Sequence, residues 1–210
     1  MADKNELEQF KSGIFSLGTN FGELAQLMIK ELEKFTSADG KYFDLLDSNN
    51  QKIEVKFSRA KKKLKPLKKS NIIDLCLNSA SDSRVLTEAD ATNITFDCNI
   101  QQIKPSEFDI LYYGIFFKDK IVILKAQSDI VPNMPGYSIQ HKGGTEYQFH
   151  INRSNYAEHK KEFFYKELTY SELLNLFKKK GDLNFANKKR CKKENLSNLQ
   201  KNKIYLIRIL

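Results

Sequence analysis

The sequence predicts an α/β or α+β protein, in which helices flank one mixed central β-sheet. Two capping-box spacings precede amphipathic helical stretches, and apolar or alternating segments typical of β-strands lie between them. The chain has 210 residues, of which 40% are hydrophobic, so it can bury a core of its own. No repeat or Pro/Gly-rich linker divides it, and we therefore expect a single domain over residues 1–210.

The first predicted element is a helix from about Asn20 to Phe35. Asn20 and Glu23 have the spacing of a capping box. Apolar residues then recur with a period of 3.6, at Phe21, Leu24, Ala25, Met28, Leu32 and Phe35. This apolar face is expected to pack on the sheet.

Two strands, KYFDLL and KIEVKFS, are predicted next, separated by the turn-forming segment Asp47–Asn50. In the second strand Glu54 and Lys56 alternate with apolar residues and therefore share the face opposite the core. A three-residue loop centred on Asn49 pairs Asp44 with Glu54, and one centred on Asn50 pairs it with Lys56. Either register gathers Asp44, Glu54 and Lys56.

A second hairpin is predicted at Leu111 to Phe117 and Ile121 to Ala126, around the turn Lys118–Lys120. Its almost continuous apolar character is typical of strands buried on both faces, in the middle of a sheet. Thr169 and Glu172 again have capping-box spacing before a leucine-rich helix, and NKIYLIRIL is predicted as a closing strand.

The charge of the chain suggests a polyanionic partner such as nucleic acid. Lys and Arg number 35 against 26 Asp and Glu, a net charge of +9, although the bias of an AT-rich genome toward lysine also accounts for part of it. Seven cations follow the second strand, at Arg59, Lys61, Lys62, Lys63, Lys65, Lys68 and Lys69. They are candidates for contacts with phosphates, or an ordinary solvated run of charges. A further basic cluster covers Lys178–Lys180 and Lys188–Lys193, as a second clamp or a mobile loop.

Several classes of protein are disfavoured. No apolar run reaches the roughly 18 residues of a membrane span, and the polar start is unlike a signal peptide, so we expect a cytoplasmic protein without a membrane partner. Cys76, Cys98 and Cys191 lie far apart and are expected to be small buried residues rather than a disulfide or zinc framework. The absence of a Gly-rich phosphate loop, nucleophile elbow or dinucleotide fingerprint argues against a small-molecule enzyme.

Two facing carboxylates need a counter-charge. Asp44 and Glu54 at about 5 Å would repel by roughly 3 kcal/mol at an effective dielectric constant of 20. A magnesium ion would relieve this, with the carbonyl of Val55 as a further oxygen ligand, while Lys56 orients a water or stabilises a pentavalent phosphate. The alternative to a metal site is an ordinary solvent-exposed hairpin face, because E-x-K is common in strands.

The order of these residues resembles the PD-(D/E)xK nuclease superfamily, and within it the type II restriction endonucleases. Glu23 on a helix precedes Asp44 on a strand, then E54-V-K56 and the basic run. The resemblance covers about Asn20 to Ala60, with Phe43 where members often have proline. It implies an α-β-β-β-α-β restriction-endonuclease-like core, Asp44 and Glu54 as metal ligands, Lys56 as the catalytic lysine and Glu23 as an accessory acid.

A DNA-reading hairpin is predicted at about 137–153. Within EYQFHINR, apolar residues alternate with Gln148, His150 and Asn152, so one strand face carries hydrogen-bonding groups. That face is extended by Gln140 and Lys142 across the Gly143–Gly144 turn, and by Arg153. A half-exposed hairpin whose polar face meets only water is the alternative.

The resemblance implies a magnesium-dependent enzyme that cuts double-stranded DNA at a short recognition sequence. It further implies a homodimer, because palindromic sites mirror twofold symmetry, and a cognate DNA methyltransferase in a restriction-modification system. Two alternatives stay open: a structure-selective repair or recombination nuclease with the same metal site, and a noncatalytic DNA-binding protein.

Overall fold

The computed structural model describes residues 4–38, 42–63, 66, 68–73, 84–141, 144 and 146–178. The predicted strand NKIYLIRIL, most of the C-terminal basic cluster, Cys76 and Cys191 lie outside these ranges. Within them, no helix combines the length and apolar character that a membrane span requires. Cys98 is buried with its thiol free, as expected.

In the part of the chain that the structure describes, five helices of four or more described residues and ten strands carry the fold. The helices are α1 (Lys4–Ser16), α2 (Phe21–Glu33), α3 (Glu88–Ala91), α4 (Tyr156–Phe163) and α5 (residues 170–178). The strands are β1 (Thr36–Ser37), β2 (Leu45–Leu46), β3 (Lys52–Arg59), β4 (Lys61–Lys62), β5 (Phe96–Ile103), β6 (Ile110–Phe116), β7 (Ile121–Gln127), β8 (Tyr137–Ile139), β9 (Tyr147–Asn152) and β10 (Phe164–Leu168).

The strands form two sheets. The larger one has the order β1-β2-β3-β6-β7-β10, and it is mixed because β3 and β6 run parallel while the other neighbours run antiparallel. The smaller one has the order β4-β5-β9-β8 and is antiparallel throughout. A mixed sheet with flanking helices in an α+β protein is confirmed. Of the smaller sheet only the β8–β9 hairpin was predicted, and α1 was not predicted.

The central strands separate two apolar cores. In β6, Ile110, Tyr112 and Phe116 face α1 and α2, whereas Leu111 and Tyr113 face the smaller sheet. Every residue of β6 is buried, because layers of side chains cover both faces of the larger sheet. The predicted β6–β7 hairpin, buried on both faces in the middle of the sheet, is confirmed.

The two predicted capping boxes have different outcomes. At the start of α5, the Thr169 N–H donates to Glu172 Oε2 over 2.7 Å, and the Glu172 N–H donates to Thr169 Oγ1 over 3.2 Å. Asn20, by contrast, makes no side-chain capping bond, so the box predicted with Glu23 does not form. The helix predicted to reach Phe35 ends at Glu33, because Lys34 turns into the left-handed region with φ 61°.

The β2–β3 hairpin adopts one of the two registers left open. Leu45 pairs with Ile53 and Leu46 with Lys52, which centres the loop on Asn49 and sets Asp44 opposite Glu54. The Asp47 carboxylate holds the turn by accepting the N–H groups of Asn49 and Gln51, each over 2.8 Å. Because β2 has only two residues, no described strand pairs with this edge of β3 beyond Ile53.

Candidate active site

A cavity of about 270 Å³ lies where β3 leaves its short partner β2. Asp44, Glu54 and Lys56 line it from the larger sheet, and Gln102, Lys104, Glu107 and Glu146 line it from β5 and the neighbouring loops. The structure therefore brings together the three residues that the hairpin pattern singled out. It sets them in a cleft between the two sheets rather than on a solvated face.

Three hydrogen bonds hold Asp44 in place. Its N–H donates to the carbonyl of Ile53 over 3.0 Å, and its carbonyl accepts Nε2 of Gln26 over 3.1 Å. Its carboxylate Oδ2 accepts the N–H of Val55 over 2.8 Å. The side chain is thus oriented along the open edge of β3.

Glu54 and Lys56 form an ion pair at the mouth of the cavity. Lys56 Nζ lies 2.6 Å from Glu54 Oε1, and the Glu54 side chain is only 10% exposed. Burial raises the pKa of Glu54 to about 7, the negative charges of Asp44 and Glu107 raise it as well, and the ammonium of Lys56 opposes them. A carboxyl group with this pKa in a cleft is a common feature of functional sites.

The donor set fits a magnesium ion that is shared with a substrate. Among the described residues, no group of three or more His, Cys, Asp or Glu side chains is placed to hold a metal ion. Asp44 and Glu54 supply two hard oxygen ligands, and Mg²⁺ is commonly bound by one or two carboxylates with water and phosphate oxygens completing its shell. The carbonyl of Val55, the residue after Glu54, stays a predicted ligand.

The accessory position on α2 differs from the predicted one. Glu23 is exposed and does not line the cavity. Gln26, three residues later on the same helix, is the α2 side chain that contacts Asp44. Glu23 was predicted because the superfamily pattern favours an acidic residue on this helix. Which side chain of α2 contacts Asp44 depends on the rotation of the helix about its axis, and the packing of α2 sets that rotation.

Four polar residues of the cavity were missed from the sequence. Lys104 lies 3.8 Å from the Glu107 carboxylate and 3.6 Å from that of Glu146, so the far wall carries its own charge network. Gln102, in the irregularity that interrupts the β5–β9 pairing between Ile100 and Ile103, completes this wall with an unusual φ of 58°. No local sequence pattern identifies these residues as part of the site, since they lie next to Glu54 only because the two sheets pack against each other.

The basic segment after β3 is partly buried and partly exposed. Arg59 ends β3 and Lys61 begins β4, where both line a second cavity. Lys62 and Lys63 are exposed beside them, while Lys65 lies outside the described ranges.

The predicted reading hairpin forms, but several of its polar groups stabilise the fold. In β9, Phe149 and Ile151 are buried and Gln148, His150 and Asn152 lie on the other face, as predicted. Asn152 Oδ1 accepts the hydroxyl of Ser154 over 2.6 Å. Gln140 accepts the N–H of Gln102 over 2.8 Å, Arg153 donates to the carbonyl of Asn93 over 3.1 Å, and Lys142 lies outside the described ranges.

His150 is the remaining polar group of that face with a charged neighbour, since its Nδ1 lies 3.4 Å from Asp97 Oδ1 on β5. Gln148 and His150 are therefore the residues of this hairpin best placed to meet an external ligand.

Comparisons with known proteins add no relative. No protein-family model matches the chain, and no curated protein matches it. A function for this chain therefore has to follow from the cavity and its side chains.

The pKa of Glu54 predicts a pH-dependent stability. The folded protein keeps this proton up to a pH of about 7, whereas the unfolded chain releases it near 4.5. Stability contributed by Glu54 is therefore present below pH 4.5 and falls as the pH rises to 7, by on the order of 3 kcal/mol. The glutamine in Glu54→Gln cannot ionise. The difference in unfolding free energy between this variant and wild type, both in EDTA, should therefore shift in favour of the variant by about that amount from pH 4 to pH 8.

Urea unfolding at several pH values measures this difference. Glu162→Gln, at an exposed surface carboxylate, is the control and should follow wild type across the range. If the difference in unfolding free energy between Glu54→Gln and wild type stays constant between pH 4.5 and pH 8, the pKa of Glu54 is not raised in the folded protein.

Proposed function

We propose that this chain is a magnesium-dependent endonuclease that hydrolyses phosphodiester bonds of double-stranded DNA at a short recognition sequence. The single observation that carries the proposal is the convergence of Asp44, Glu54 and Lys56 on one cavity at the open edge of β3. The order of these residues in the sequence, with E-x-K on the second strand of a hairpin, matches the type II restriction endonucleases that the chain resembles.

Each side chain has a distinct role in this proposal. Asp44 and Glu54 would hold a magnesium ion, which when bound supplies charge neutralisation at the reacting phosphate and a more acidic water. Lys56, a compact cation next to Glu54, would approach the phosphate and stabilise the negative charge that develops on its oxygens. Gln26 would fix Asp44 through its backbone carbonyl.

The rest of the surface supports DNA as the substrate. The net charge of +9 and the exposed Lys62 and Lys63 next to β3 favour contacts with a phosphate backbone. Gln148 and His150 present amide and imidazole groups of the kind that contact base edges. As the resemblance implies, the enzyme would act as a homodimer in the cytoplasm, paired with a methyltransferase that protects the host genome.

The proposal predicts discrete DNA fragments. Purified protein is incubated with unmethylated phage-sized DNA in Mg²⁺, beside an EDTA control and an Asp44→Asn variant. We expect sharp bands with wild type and Mg²⁺, and cleavage reduced at least about 100-fold in both controls, because Asn supplies a neutral ligand in place of a carboxylate.

Other outcomes correspond to the alternative functions. A smear that both controls abolish would indicate a structure-selective or nonspecific nuclease with the same metal site. Intact DNA that still shifts in a gel would indicate a noncatalytic DNA-binding protein and would contradict the nuclease proposal.

A further inference from the structure

A second cavity, of about 260 Å³, lies at the other end of β3 from Asp44 and next to the start of α2. Gly18 and Phe21 line it from the start of α2, Arg59 from the end of β3, and Lys61 and Asn99 from the smaller sheet. None of its lining residues belongs to the cavity that holds Glu54 and Lys56.

Two cations, Arg59 and Lys61, line this cavity, and Arg84 lies near them outside its lining. Burial lowers the pKa of Lys61, and the positive charges of Arg59 and Arg84 lower it further, so these three groups are close enough to repel one another. Burial also lowers the pKa of Arg59. Backbone pairing enforces this proximity, because Lys62 donates its N–H to the carbonyl of Arg84 over 2.8 Å.

The guanidinium groups also lack hydrogen-bond partners. Within the described part of the chain, Nε and Nη2 of Arg59 and Nε of Arg84 are buried without a partner. Buried donors of this kind are rare in folded proteins, because an unmade bond to a charged group is costly. Asp97 is a carboxylate that also lines the cavity; it is the cross-strand partner of Lys61, and its Oδ1 lies 3.4 Å from Nδ1 of His150.

The orientation of Arg59 suits a planar, oxygen-rich anion. Its guanidinium carbon lies 4.0 Å from the centre of the Phe21 ring, and this contact holds the group in place. A fixed guanidinium binds phosphate oxygens through parallel N–H bonds. The first turn of α2 adds partial positive charge at the same cavity, and the side chain of Asn20 does not cap it.

We propose that this cavity binds a phosphate group, held by Arg59 together with Lys61. In a complex with DNA it would be a phosphodiester near the cleaved one, since three residues of β3, about 10 Å, separate Arg59 from Lys56. That distance is within the span of a few nucleotides of one strand. The assignment to DNA rests on the proposed nuclease function, whereas the assignment to phosphate does not.

The phosphate assignment is tested with inorganic phosphate and the intact, metal-free protein in a calorimetric titration. We expect one saturable site, and Arg59→Gln should raise its Kd at least about tenfold by removing a charged donor pair. Lys166→Gln removes the same charge on β10, at the opposite edge of the larger sheet, and should leave the Kd unchanged.

An equal Kd for wild type and Arg59→Gln would overturn the site, as would an equal rise in Kd for Lys166→Gln. The DNA assignment is tested by duplex binding in EDTA at several salt concentrations. Arg59→Gln should reduce the slope of log K against log salt concentration by about 0.9, the value for one lost phosphate contact, and Lys166→Gln should not.

An unchanged slope together with weaker phosphate binding would overturn the DNA assignment and identify a free phosphate as the ligand. Neither measurement involves cleavage, so a failure of the nuclease proposal would be seen separately, as uncut DNA in Mg²⁺.

Discussion

Replacing Lys56 by methionine is expected to slow DNA cleavage by about 10²- to 10³-fold, the usual effect of removing one preorganised charge from an active site. Methionine keeps much of the length of the lysine side chain and removes the ammonium group, which lies 2.6 Å from Glu54 in the cavity. Duplex binding in EDTA should weaken only a few-fold, because a single phosphate contact is lost. Single-turnover cleavage and gel-shift titration measure the two effects.

The pH profile of this variant separates two roles for Lys56. The ammonium lowers the pKa of Glu54 against the effects of burial and of Asp44 and Glu107, so its removal should raise that pKa above about 7. If Lys56 acts only by keeping Glu54 ionised, cleavage returns to the wild-type rate at pH 9. If it acts on the phosphate directly, the deficit persists there.

Lys118→Met, in the exposed turn between β6 and β7, is the matched control and should cleave at the wild-type rate. A Lys56→Met enzyme that is fully active at pH 7 would contradict the active-site assignment.

Replacing Gly114 by alanine is expected to destabilise the protein by about 3 kcal/mol or more, which is the upper range for overpacking a core. Gly114 lies in the middle of β6, where a Cβ atom would overlap the backbone carbonyl of Val122 on β7 and lie 2.5 Å from Cε1 of Phe57 on β3. The backbone of a central strand cannot move away without breaking the pairing on both sides. Urea unfolding measures the loss.

The matched control is Gly22→Ala on α2. No atom lies within 4 Å of the added Cβ at that position, and alanine has the higher helix propensity, so this variant should gain about 0.5–1 kcal/mol. A Gly114→Ala protein as stable as wild type would mean that β3 and β7 do not flank β6 as they do in this fold.

Several features of the fold follow from local patterns and could be predicted from the sequence alone. The alternation through Glu54 and Lys56 is a property of the strand itself, and the turn after β2 is specified by the hydrogen bonds of Asp47. The β6–β7 hairpin was recognisable because a strand buried on both faces has to be apolar at nearly every position. These predictions depend on residues that are near neighbours in the chain.

The tertiary structure decided which distant residues share a site with them. Glu107 and Lys104 lie about fifty positions after Glu54, and the two sheets have to cross before they meet. The partial burial of Arg59 was also decided by the tertiary structure. A run of lysine and arginine residues does not indicate which of them the fold will bury. Residue type and spacing thus determined the predicted acid–acid–lysine set, whereas packing between the layers determined its burial and the pKa of about 7 at Glu54.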